Sequence, residues 1–203
     1  MRPTEPETNL ERVCAWLSLV APLCATFLRA APASDWRDDL PALTAAGILP
    51  ASTEGFLGLV AEQLFGLLPL GGHWLRGAWL QAFAVGLASR LIYGRARALL
   101  ALAGDAPRLT PALALAAALT AVLSPSFQLE GTAAGGAALA TAVALLALAA
   151  HEKLPARDAR SGLVLGALLA LTASESHTAA LALAVALAAR TVARGRLPEL
   201  APV

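Results

Sequence analysis

Long apolar stretches alternate with short charged loops along this chain. The apolar runs cover 13–31, 74–93, 109–123, 132–150, 162–173 and 178–189. A helix needs about 20 apolar residues, within a range of roughly 17–25, to cross the hydrocarbon of a bilayer. The first, second and fourth runs meet that length and the third is short. The last two form a close pair around Ser174-Glu175-Ser176-His177, as two short spans or one broken hairpin. A further apolar segment, 56–70, carries Glu62 and Gln63 in its middle. Its apolar positions Phe56, Leu59, Val60, Leu64 and Leu67 follow a helical rhythm. Glu62 and Gln63 lie largely off that stripe, so the spacing predicts a helix along the membrane interface that does not cross it. The pattern predicts an all-α polytopic membrane protein of about six transmembrane helices plus one interfacial helix.

The basic residues give the sidedness, because loops rich in Lys and Arg stay in the cytoplasm. With the N-terminus inside and 56–70 not spanning, the inner segments carry Arg2, Arg12, Arg95, Arg97, Arg108, Lys153, Arg157, Arg160, Arg190, Arg194 and Arg196, most of the fifteen basic residues. Arg29, Arg37 and Arg76 stay outside, and Arg90 lies within a span, from which it can snorkel to the cytoplasmic headgroups. If 56–70 also spanned, every later basic cluster would face outward. The chain thus reads as one transmembrane domain over 1–203. It has a cytoplasmic tail at 1–12, a first outer loop at 32–55, the interfacial helix at 56–70 and a second cytoplasmic tail at 191–203.

Composition agrees. Hydrophobic residues make up 58% of the chain and charged residues 14%, with a mean hydropathy of +0.66. A soluble domain is about 45–50% apolar and about 25% charged. The excess is Ala and Leu. A net charge of +1 says nothing about nucleic acid, and no basic cluster interleaved with aromatics that would bind it appears. Cys14 and Cys24 share the first run about 15 Å apart, too far for a bridge within one helix. They read as buried thiols. No repeat of 20–50 residues is evident, and the small residues of 133–138 favour close helix packing.

The densest polar group is Asp35-Trp36-Arg37-Asp38-Asp39 in the first outer loop. Directly after the first span, it sits at headgroup depth. Carboxylates there can hold a divalent cation, which takes hard oxygen ligands, or act as a general base on a hydroxyl. The alternative is a solvated loop in which Arg37 neutralises its neighbours. Glu130, in Ser124–Gly131 read as a short loop, faces the same side as Asp35. Glu175 and His177 lie at another outer turn, where they form either a hairpin cap or a binding pair. His73, Trp74 and Trp79 fit an interfacial belt.

The order of these features resembles the bacterial GT-C-type membrane glycosyltransferases related to protein O-mannosyltransferases. An acidic Asp35-x-x-Asp38 loop follows one span, Gly47 follows twelve residues after Asp35, and Leu68-Pro69-Leu70-Gly71 with Arg76 matches a later family run. The segment with His177 and Thr178 resembles a further family motif. The resemblance covers roughly 13–190 and corresponds to the family's N-terminal portion. Pro50-Ala51-Ser52-Thr53 replaces a His-Pro-Pro turn, Asp38 stands where the family favours Glu, and Gln128 stands where an aromatic follows Phe127. The resemblance implies sugar transfer from a polyprenyl-phosphate donor on the outer face of a bacterial inner membrane. Asp35 would be the catalytic residue, Asp38, Arg76, Glu130 and His177 would bind substrate, and a divalent cation would be a possible cofactor. The other reading of the same features is a non-catalytic membrane scaffold or subunit with a membrane-protein partner.

Overall fold

The structure is a computed structural model. It describes residues 9–30, positions 57, 58, 60, 63, 64, 67 and 69, and residues 73–103, 109–132, 137–153 and 159–196. Among these the chain is all helical. The elements are α1 (Asn9–Leu28), α2 (His73–Ala103), α3 (Thr110–Val122), α4 (Pro125–Thr132), α5 (Ala138–Lys153), α6 (Ala159–Glu175) and α7 (His177–Arg196). Positions 57, 58, 60, 63 and 64 are also helical.

α2 is the hub. It runs 31 residues, about 46 Å, and packs against α1, α3 and α5. α5 then carries α6 and α7 on its far side. The core has two levels along α2. Near one end Tyr93 meets Cys14, Ala114 and Ala118. Nearer the other, Ala84, Val85 and Ala88 meet Val122, Ala138 and Ala142.

The apolar residues are distributed by size. The buried stripe of α1 is Cys14, Ser18, Pro22 and Thr26, one residue per turn, while Val13, Trp16, Leu17 and Val20 are exposed. α3 buries Pro111, Ala114, Ala118 and Val122 and exposes Leu113. α5 buries four alanines and exposes Leu146. α6 and α7 expose Leu163, Val164, Leu171, Leu181 and Val185. Small side chains let the backbones come close. A Cβ on Gly86 would lie 3.0 Å from Leu23 Cβ and 3.1 Å from the Leu19 carbonyl oxygen, and one on Gly131 would overlap Val85 Cγ2.

Charges collect at one end of the bundle. There the start of α1 meets the end of α2 through Arg97 and Glu11, 2.8 Å apart. Glu152, near the end of α5, pairs with both Arg95 of α2 and Arg190 of α7. The opposite end is held by neutral hydrogen bonds. Gln128 of α4 donates to Thr26 Oγ1 (3.1 Å) and to the Val122 carbonyl (2.9 Å), and Thr26 donates back to Gln128 Oε1 (3.4 Å). Gln81, fully buried in α2, accepts the Leu139 N–H in the first turn of α5 (3.1 Å), one of the amides a helix start leaves without an internal partner.

Several expectations need correction. The stretch 124–131 is largely the helix α4 and not a loop. Pro125 occupies its first position, where a missing N–H costs nothing. α1 begins before 13 and continues through Pro22. α2 continues ten residues past Tyr93, because Arg95 and Arg97 meet carboxylates on neighbouring helices. α5 starts at Ala138 and not at 132. Cys14 is buried but Cys24 is exposed. Among the described residues, α1 is the one helix both long and apolar enough to cross a membrane; α3 and 177–190 of α7 are shorter apolar helices.

Candidate functional site

The neutral end of the bundle carries what the structure describes of the expected site. Arg76 lies in the first turn of α2, half-buried. His177 opens α7 and is exposed. Among the described residues α2 and α7 do not pack along each other, so Arg76 and His177 are not brought together by helix contact. Asp35 and Asp38 lie outside the described residues. Glu130 falls on α4, and its side chain lies outside them too. Glu62 is likewise outside them, whereas Gln63 is exposed. Among the described residues no three His, Cys, Asp or Glu side chains gather to hold a metal ion.

The residue that organises this end is Glu175. It closes α6, and its Oε2 accepts the backbone N–H of Gly58 at 2.8 Å. The segment that follows the acidic loop is thereby tied to the α6–α7 turn. Burial pushes the Glu175 carboxyl above its usual range, and the N–H groups of Gly58 and Leu57 partly oppose that. The hairpin cap is the next residue: Ser176 Oγ accepts the Ala179 N–H at 3.3 Å, the bond of an N-cap serine. Glu175 is therefore free of capping and bonds across the bundle. Beyond Gly58, positions 60, 64 and 67 expose Val60, Leu64 and Leu67, three members of the apolar stripe expected of an interfacial helix.

Sequence reasoning missed Gln128 and Gln81. Gln128 is 3% exposed and bonds to two other helices. It forms a polar staple between α1, α3 and α4. The available signal was Ser124-Pro125, a helix-start pair.

No family model, curated protein or solved structure matches this chain.

Two grooves open at the charged end. One, of about 250 Å³, lies between α1 and α2 and is lined by Arg12, Ala15, Trp16, Leu19 and Arg90. The other, of about 360 Å³, lies between α2 and α5, with Arg90, Gly94, Arg95, Glu152 and Lys153 among its walls.

Proposed function

We propose that this chain is a polytopic integral membrane protein that serves as a helical subunit of a larger membrane assembly. α1, α2, α3, α5, α6 and α7 cross, α4 and 56–70 lie at the outer interface, and both ends face the cytoplasm. The observation that carries the reading is the placement of side chains by size. Alanine, serine and threonine make up most of the interior, around Tyr93, Val85, Val122 and Gln81, while Trp16, Leu17, Val20, Leu113, Leu163, Leu181 and Val185 point outward. In water, contiguous apolar surface of this extent drives association. In lipid it costs nothing, and small interior residues supply the close packing that drives helix association there. The short helices fit by thinning the bilayer locally. The charge-rich end is the cytoplasmic one under the positive-inside bias.

The subunit role is supported by α6. Gly162, Gly166 and Ala170 recur every fourth residue and are exposed, and a Cβ on either glycine would meet nothing within 4 Å. Such a face admits a second transmembrane helix at close range. The test is alkaline carbonate extraction of membranes together with native gel electrophoresis. The chain should stay in the carbonate pellet, and Gly166→Leu should lower the mass of the native complex without releasing it. An unchanged mass removes the subunit role; release by carbonate removes the membrane reading.

A second reading, sugar transfer from a polyprenyl-phosphate donor at the outer face, is favoured by the Gly58–Glu175 bond. It holds the exit of the 32–55 loop at the end where Arg76 and His177 lie. In this reading Asp35 is the base, or binds a divalent cation, and Asp38, Arg76, Glu130 and His177 bind the donor. Its test is transfer from a labelled polyprenyl-phosphate sugar in membranes, which Asp35→Asn should abolish.

A further inference from the structure

We propose that the groove between α1 and α2 at the charged end is a binding site for an anionic phospholipid, with its phosphate between Arg12 and Arg90 and an acyl chain along Ala15, Trp16 and Leu19. The inference rests on the polytopic reading above. Arg12, Ala15, Trp16 and Leu19 fall on one face of α1 at i, i+3, i+4 and i+7, so the cation stands at the membrane surface and the apolar positions lead inward from it. Arg90 faces them from α2. It lies roughly two turns before Arg97, about 10 Å deeper along the helix, within the predicted span. A cation at that depth needs a partner. Its described interaction is with a neutral ring, the guanidinium carbon standing 5.3 Å from the centre of Tyr93.

The described carboxylates at this end, Glu11 and Glu152, are engaged elsewhere. Glu11 bonds Arg97, and Glu152 bonds Arg95 and Arg190. The two grooves differ in this respect. Glu152 lines the α2–α5 groove among its cations. Among the described residues no carboxylate lines the α1–α2 groove, where two arginines face apolar side chains. That combination fits a group with an anionic head and an apolar tail. The groove's inner limit is set by the approach of Gly86 to Leu19 and Leu23, which closes the helix pair one turn further in. Trp16, 62% exposed, lies where an acyl chain would run.

Trp16 also reports on the site. The chain is placed in nanodiscs of phosphatidylcholine containing a minor fraction of phosphatidylglycerol, with brominated acyl chains on one lipid or the other. The quenched signal assigned to Trp16 is the part that Trp16→Phe removes. Brominated phosphatidylglycerol should quench it out of proportion to its abundance. An arginine near the surface contributes about a fivefold preference, so Arg12→Gln should lower the preference about fivefold and adding Arg90→Gln should lower it further. Lys153→Gln, outside this groove, should leave it unchanged. Equal quenching by both lipids overturns the proposal while the membrane reading stands. No quenching by either lipid overturns both. Loss of the preference on adding millimolar inorganic phosphate would show that the arginines hold a free anion and not a lipid, and this too overturns the proposal.

Discussion

Replacing Gln128 with leucine tests the staple that joins α1, α3 and α4. The side chain is 3% exposed, and leucine nearly conserves its volume, so the change removes polarity with little cavity. Three bonds are lost: the donations to Thr26 Oγ1 at 3.1 Å and to the Val122 carbonyl at 2.9 Å, and the one accepted from Thr26 at 3.4 Å. Val122 ends α3, and its carbonyl has no partner within the helix. A net hydrogen bond contributes about 1 kcal/mol, and a buried acceptor left unsatisfied costs about 1–3 kcal/mol. Interhelical side-chain bonds in membrane proteins average only about 0.6 kcal/mol, which applies to the Thr26 arm. The two arms together give a loss of about 2 kcal/mol, or about thirtyfold in the unfolding equilibrium. Unfolding in mixed micelles, followed by helical circular dichroism, reads this directly. A double-mutant cycle with Thr26→Val isolates the Thr26 arm and should give a coupling of about 0.6 kcal/mol. Leu129→Ala, on the exposed neighbour, should change stability by less than about 0.5 kcal/mol. If Gln128→Leu is as stable as the parent and the cycle shows no coupling, α4 is not pinned as described.

Gly131→Ala should destabilise by about 1–3 kcal/mol, because its Cβ would overlap Val85 Cγ2 in a packed core; Gly162→Ala, in open space, should not, and thermal melts of the two variants make the comparison. Glu175 gives a pH dependence. Burial raises its carboxyl in the folded chain, so the folded state keeps the proton to higher pH than the unfolded state. The stability this contributes is present below the unfolded carboxylate range and is lost as pH rises through the raised one. Glu175→Gln still accepts the Gly58 N–H and should flatten that decline; a stability profile with the same slope in both proteins would show that Glu175 ionises as it does in the unfolded chain.

The long helices were legible because apolar runs of near-spanning length are separated by charged residues, and exposed and buried positions are both apolar. That same uniformity hid the helix faces. In α1 apolar character does not separate exposed Val13 from buried Cys14; side-chain size and packing against α2 do. Helix ends were misread where charge was taken for loop. Arg95 and Arg97 continue α2, since each meets a carboxylate on another helix. α4 was hidden by Ser, Pro and Gly, which mark turns as readily as helix starts. At the candidate site the turn around Ser176 was legible from local pattern. The reach of Glu175 to Gly58, across 117 positions, and of Gln128 to Thr26, across 102, has no local signature. The acidic loop with Asp35 and Asp38 lies outside the described residues, so its chemistry rests on sequence alone.

The central claim is that the helices cross a membrane with the charged end inside. Single cysteines in a Cys14→Ala, Cys24→Ala background test it most directly. A cysteine at Ser126, at the start of α4, should react with a membrane-impermeant thiol reagent in intact cells. One at Ala156, between α5 and α6, should react only after the membrane is opened. Labelling of Ala156 and not Ser126 in intact cells would invert the topology, and equal labelling of both would contradict an embedded bundle.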